Sequence, residues 1–209
     1  MEFFAVALDY FVQGGACMWP LLACSIAVIV IGVERYLYLK KAISDSVFAD
    51  SFCSLMDKQE IEMAKELAAQ AQGNAAELAQ DIFASYKTLG KRLESVVYTK
   101  VDRYIDSMHQ YMNYLSVVIG LAPMLGLLGT ITGMIASFHA LNERGQNPMA
   151  VTAGIAEALI TTVFGLCIAI VGMVIHAYLS SKMKAATLDL EEVAGTLSEV
   201  LSATQAEEK

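Results

Sequence analysis

The chain has 209 residues and a formal net charge of −8, and 56% of it is hydrophobic. Only 17% is charged, against about 25% in water-soluble domains, and the acidic balance excludes a basic nucleic-acid-binding surface. The charges are also unevenly placed: none occurs in residues 114–141, and 151–181 contains Glu157 alone.

Residues 1–16 do not read as a cleavable signal, because they lack a basic start and carry Glu2 and Asp9. Phe3, Phe4, Ala7, Leu8 and Phe11 share one helical face, which predicts a short interfacial helix leading into Trp19-Pro20. Pro is tolerated in a first helical turn. Residues 17–39 form the first predicted membrane helix. Its apolar run, Met18 to Val33, ends in Glu34-Arg35 and resumes as Tyr36 to Leu39. It reaches the ~18 apolar residues a span needs when Glu34 and Arg35 snorkel at the headgroups.

Residues 40–113 contain no proline and few glycines. Helical periodicity runs through Val47–Met56 and Ile61–Ala71, and resumes at Ala75 after Gly73-Asn74. The reading is two shorter helices followed by one long helix that enters the membrane, with Gly90 as its one later interruption. Residues 114–141 and 151–181 are the second and third membrane helices, joined by a short loop at 142–150. At about 1.5 Å per residue they extend roughly 42 and 46 Å, beyond the ~30 Å hydrocarbon layer. The tail, 182–209, keeps an apolar stripe at Leu190, Val193, Leu197, Val200 and Leu201 under an acidic surface. The fold class is therefore an all-α integral membrane protein with three transmembrane helices and long helical cytoplasmic extensions.

Arg35, Lys40, Lys41, Lys100, Arg103, Lys182 and Lys184 cluster on one side of the predicted helices, and the opposite side holds Arg144. The positive-inside rule places the N-terminus and the 142–150 loop outside, with 40–113 and the tail in the cytoplasm. Cys17, Cys24, Cys53 and Cys167 lack ligand spacing and read as free thiols. His109, His139 and His176 are too scattered for a metal site, and no cofactor is expected.

A lone carboxylate at membrane depth costs several kcal/mol unless paired, hydrated or protonated. Burial raises a carboxyl pKa, which suits Glu157 to proton exchange. The bland alternative is a structural acid satisfied by a nearby hydroxyl or by His139. Around Glu157 the second helix carries small residues at Ala122, Gly126, Thr130, Gly133 and Ser137. The third carries Gly154, Ala158, Thr162, Gly165, Ala169 and Gly172. Such stripes allow close packing in lipid, and the glycines are read as packing residues. Thr161 lies one turn above Glu157, whereas Thr162 lies about 140° away around the helix. One ring of helices from several copies brings both to a common cavity. Each threonine has the alternative of back-bonding to its own helix. Pro123, inside the second helix, removes a backbone donor and predicts a kink.

Leu121-Ala-Pro-Met-Leu-Gly-Leu-Leu-Gly-Thr-Ile-Thr-Gly-Met-Ile135 resembles the second-helix signature of the MotA/TolQ/ExbB proton-channel family. Asn147-Pro-Met-Ala-Val-Thr-Ala-Gly-Ile-Ala-Glu-Ala-Leu-Ile-Thr-Thr-Val-Phe-Gly-Leu166 is similar to its third. With Trp19-Pro20, Glu34-Arg35 and the helix order, the resemblance covers nearly the whole chain. It implies an inner-membrane subunit, pentameric in the ExbB branch, whose second and third helices line a pore. Glu157 matches the family's pore glutamate, and Thr130 and Thr162 match its pore threonines. The implied partners are a single-span protein of the ExbD/TolR type with a membrane aspartate, and a TonB- or TolA-type protein driven by proton flow. An ExbB-like converter of proton motive force, not an enzyme, is the leading expectation. A TolQ-like role in the Tol-Pal envelope system, a non-conducting scaffold and a passive channel are the alternatives. The family pattern has proline after the Ala-Ile pair of the third helix; here Val171-Gly172 follows Ile170. Three membrane helices rather than four set the chain apart from MotA-type flagellar stators.

Overall fold

The computed structural model describes residues 11, 14–44, 47–143 and 148–207. These residues are built from helices, with no strand among them. In chain order the helices are α1 (Met18–Ala42), α2 (Phe48–Asp57), α3 (Ile61–Gln70), α4 (Asn74–Leu89), α5 (Leu93–His109), α6 (Met112–Glu143) and α7 (Pro148–Glu207). A single 3-10 turn, Gly90–Arg92, separates α4 from α5. By length and composition three stretches, Met18–Ala42, Leu93–His139 and Gly154–Thr204, contain apolar helix long enough to cross a membrane, the second of them across the α5–α6 junction. The all-α membrane class read from composition is borne out. The expected interfacial helix before residue 17 lies almost wholly outside the described residues; Phe11, which is described, meets Trp19 edge-on at 5.4 Å.

The chain divides into two compact units. The first combines the described residues up to Val33 with those of Tyr111–Ala177. One buried cluster in it is Met18, Leu21 and Ala122, with Cys24, Leu125, Phe164 and Ile168 packed against them. Large apolar side chains such as Ile29, Val30, Met124, Leu127, Leu159 and Val174 point outward and are exposed. In water such a surface marks an aggregating protein; in lipid it is the expected exterior, because acyl chains are as apolar as the side chains.

The second unit combines Glu34–Gln110 with the described residues from Tyr178 onward. Phe48, Phe52 and Met56 bury one face of α2, and Phe52 packs against Phe83 of α4 at 6.0 Å. The α7 segment contributes Leu179, Met183, Ala186, Leu190, Val193 and Leu197, all buried. Their spacings alternate four and three, the interval that keeps one seam of a helix facing its partner. Thr196 donates to the Cys53 sulfur at 3.4 Å, and burial, the largest influence, pushes the Cys53 thiol above its ordinary range. All four cysteines are free, as their spacing indicated.

Two expectations are corrected here. The stretch from Ala75 onward is not one helix with a single interruption. At Gly90 the backbone takes φ 48° and ψ −128°, a combination open to glycine, and the chain tightens into the 3-10 turn. It breaks again at Gln110–Tyr111, where Tyr111 has φ 66°. No glycine or proline announces that second break; its tyrosine ring lies tilted against Tyr114, with centroids 6.3 Å apart. Arg35, expected to snorkel at the headgroups, is 2% exposed. It chelates the carboxylate of Glu34, donates to the Ser107 carbonyl at 2.9 Å and lies over the Tyr38 ring at 4.6 Å. Protein groups, rather than water, satisfy this guanidinium, and it ties the end of α1 to α5.

Backbone conformation yields a paired prediction. Gly73 sits at φ 108°, and a Cβ there would lie 2.6 Å from the Ser44 nitrogen and 2.8 Å from its Cα. Gln59 closes α2 in the left-handed region at φ 60°. Its N–H bonds to the Met56 carbonyl at 2.9 Å, and the Glu60 N–H bonds to Leu55 at 3.0 Å, the Schellman pattern that favours glycine. Gly73→Ala should destabilise the second unit by about 2 kcal/mol or more, and Gln59→Gly should stabilise it by up to about 1 kcal/mol. Thermal unfolding followed by circular dichroism checks both signs.

Candidate functional site: the α6–α7 seam

Within the first unit, α6 and α7 approach so closely that most side chains are excluded from their contact. A Cβ on Gly126 would lie 3.0 Å from the Thr161 carbonyl oxygen and 3.0 Å from the Thr162 Cα. On Gly133 it would lie 3.0 Å from the Ala158 Cβ, and on Gly165 it would lie 2.6 Å from the Ala122 carbonyl oxygen. A Cβ on Gly129 would collide with the Thr161 side chain, and one on Gly154 with the Ser137 hydroxyl. Gly172 is tight against Ile119, so the contact continues toward the other end of the pair. The small residues thus do what their spacing indicated: they let two backbones touch.

Helix geometry narrows which small residues can enter the seam. Taking Ala122 as origin at about 100° per residue, Gly129 falls about 20° away and Thr130 about 80° away. On α7, from Gly154, Thr161 falls about 20° away and Thr162 about 80°. The seam runs through Ala122, Gly126, Gly129, Gly133 and Ser137, facing Gly154, Ala158, Thr161, Gly165 and Ala169. Within the sequence Gly129 and Thr130 are equally good members of the stripe, each about 50° from the mean direction of Ala122, Gly126, Gly133 and Ser137; the packing of α7 selects Gly129.

The hydroxyls are all engaged. Thr162 donates to the Gly126 carbonyl of the facing helix at 3.0 Å. Thr161, 1% exposed, donates to the Ala158 carbonyl at 2.8 Å and approaches Gly126 O at 3.5 Å. Thr130, half-buried, back-bonds to Leu127 O at 2.7 Å, and Ser137 does the same to Gly133 O at 2.9 Å. Thr132 bonds back to Leu128 O at 3.0 Å and stands 3.8 Å from the Cys17 sulfur. The structure thus brings Thr161 and Thr162 together at Gly126 O, and leaves Thr130 on the flank of α6.

Pro123 lies inside α6, which remains helical through it. Having no N–H, it leaves the Ile119 carbonyl without its helical donor. Glu157 belongs to α7, about 80° from the seam centre on the side opposite Thr162. Its side chain lies outside the described residues, as does the 144–147 part of the loop with Arg144. No group of His, Cys, Asp and Glu suited to a metal ion occurs among the described residues.

Three apolar helical spans, a glycine-lined pair between the second and third, and one acid in the third define a polytopic α-helical membrane protein. Among the described residues the polar groups at the seam are hydroxyls and backbone carbonyls. The chain belongs to the MotA/TolQ/ExbB proton channel family, whose model matches residues 40–192. It is 32% identical over 183 residues to an ExbB-like protein of Synechocystis, covering 83% of this chain and 70% of that one. An ExbB homolog of Methanothermobacter thermautotrophicus is 28% identical over 190 residues, covering 88% of this chain and 66% of its own length. The Tol-Pal system protein TolQ of Haemophilus influenzae is 36% identical over 90 residues, covering 43% of this chain and 40% of that one. The family is a channel family associated with transport rather than a family of enzymes.

The seam makes a graded prediction. Gly165→Val places a branched side chain against the Ala122 backbone and should cost about 2 kcal/mol or more. Thr162→Val removes one interhelical bond and should cost only about 0.6 kcal/mol, at most ~1.7. Gly120→Ala, where nothing lies within 4 Å, should be harmless. Unfolding of the purified protein in rising SDS orders the three variants.

Proposed function

We propose that this chain is the channel-forming subunit of an inner-membrane motor that couples proton motive force to an envelope task, with Glu157 on the proton path. The observation that carries this reading is the position of Glu157. It is the one charged residue in Val151–Ser181, one turn before the hydroxyl pair Thr161–Thr162 on the same helix. An intramembrane carboxylate flanked by hydroxyls is what a proton relay needs. The hydroxyls hold water along the route. In this reading Thr130 and Thr162 flank the path, Thr161 and the seam glycines hold the helix pair, and Pro123 supplies the bend.

A carboxylate on the flank of a two-helix pair encloses no channel by itself. We therefore assign the pore to a homo-oligomer, a pentamer by analogy with the ExbB branch, with α6 and α7 lining the centre. The natural occupant is a single-span helix of the ExbD/TolR type bearing an aspartate, acting on a TonB- or TolA-type protein. The N-terminus lies on the periplasmic side and the tail in the cytoplasm, following the distribution of basic residues. One charge moved through 100 mV supplies about 2.3 kcal/mol, enough to bias a protonation-linked shift of the partner helix. Similarity to ExbB-named proteins over most of the chain favours a TonB-dependent uptake role. The TolQ match over 90 residues keeps the Tol-Pal role as the second reading.

Glu157→Gln and Glu157→Ala should each abolish energy-dependent activity in a deletion strain while the oligomer still assembles, as read by crosslinking. Full activity in both variants would overturn the assignment, and activity in Glu157→Gln alone would favour the scaffold reading. The deletion phenotype separates the two systems: failure of iron-limited growth for the first, detergent sensitivity and periplasmic leakage for the second.

A further inference from the structure

The second unit contains a cleft that proton transfer does not use. It has a volume of about 230 Å³ and is lined by Tyr36, Leu39, Lys40 and Ile43 of α1 with Tyr178, Leu179 and Lys182 of α7. Leu39 and Leu179 are buried and form an apolar floor, while Tyr36 and Tyr178 are half-exposed with ring centroids 6.4 Å apart. Lys40 and Lys182 stand at the rim, and among the described residues no acid lines the cleft. The ion pairs Arg35–Glu34 and Lys100–Asp81 involve neither rim lysine.

The position of this cleft along the chain matters as much as its chemistry. Lys40 follows the last apolar residue of the first membrane run, and Lys182 follows the last residue of the third. Both lysines therefore mark the membrane boundary on the side that carries residues 40–110. Tyrosine pairs are typical of that depth, and basic pockets between membrane helices bind anionic headgroups.

We propose that this cleft binds the phosphate of an anionic phospholipid, with the two ammonium groups and the tyrosine hydroxyls as donors. The first acyl carbons would lie on Leu39, Ile43 and Leu179. An ammonium offers three donors and a phenol one, which suits a phosphodiester, whose two non-bridging oxygens share one negative charge and both accept. The combination of cationic rim and apolar floor favours a lipid over a free ion, because inorganic phosphate has nothing to place on the leucines. The proposal is independent of the proton-path reading, since none of its residues lies in the α6–α7 seam.

The test uses the full-length protein purified in mild detergent, in the oligomeric state in which it is isolated. Native mass spectrometry measures binding of phosphatidylglycerol and phosphatidylcholine, with and without sodium phosphate as competitor. Phosphatidylglycerol should bind at least about tenfold more tightly than phosphatidylcholine. That preference should collapse in the Lys40→Gln/Lys182→Gln double variant and persist in Lys58→Gln/Lys65→Gln, which makes the same charge change elsewhere. Equal binding of the two lipids, or an unchanged preference in the first double variant, would overturn the proposal. Displacement of the lipid by millimolar phosphate would overturn it in favour of a simple anion site. Should the first variant fail to fold, the wild-type protein still decides. Its phosphatidylglycerol preference must weaken between low and high salt, and a salt-independent preference would sink the idea.

Discussion

The approach of α6 to α7 is the constraint on which the membrane unit depends. Two helices immersed in lipid gain nothing from hiding apolar surface, since the solvent is as apolar as they are. What remains is close packing and hydrogen bonding, and both require that side chains be absent from the contact. Gly126, Gly129 and Gly133 on one helix, and Gly154 and Gly165 on the other, provide that absence. The two backbones then come near enough for Thr162 to donate across the gap to Gly126 O. Larger residues at those positions would separate the helices and strand that hydroxyl in a medium without water.

The same packing explains how polar chemistry is retained in so apolar a segment. Thr161 and Thr162 are consecutive, so they emerge about 100° apart, one inside the seam and one at its edge. The inner hydroxyl is satisfied within the pair; the outer one reaches the facing carbonyl. Glu157 flanks the opposite edge. By helix angle Glu157 and Thr162 fall about 140° apart, so in the proposed reading they share a cavity only when neighbouring copies complete the ring. Oligomerisation is in this sense a requirement of the proposed chemistry rather than an addition to it.

The second unit rests on ordinary burial. Aromatic packing at Phe48, Phe52 and Phe83 and the alternating apolar stripe of α7 build a core that needs no membrane. Its unusual member is Arg35, adjacent to an apolar run and buried among Glu34, Ser107 O and Tyr38. A guanidinium can be held there because its planar set of donors is satisfied from several directions at once. A lysine, a point charge, has no equivalent geometry.

Composition and charge spacing were enough for the all-α membrane class and the apolar helical spans, because the bilayer admits few alternatives to a continuous apolar helix. The small stripes and the isolated acid were legible for the same reason. Three features were not. The choice of Gly129 over Thr130 as a seam residue depends on the angle at which the partner helix arrives. The break at Tyr111 carries no glycine or proline, so it has no local signature. The burial of Arg35 comes from Ser107, 72 positions along the chain. Periodicity along one helix records which face is apolar; which neighbour meets that face, and how closely, is decided only when distant segments pack.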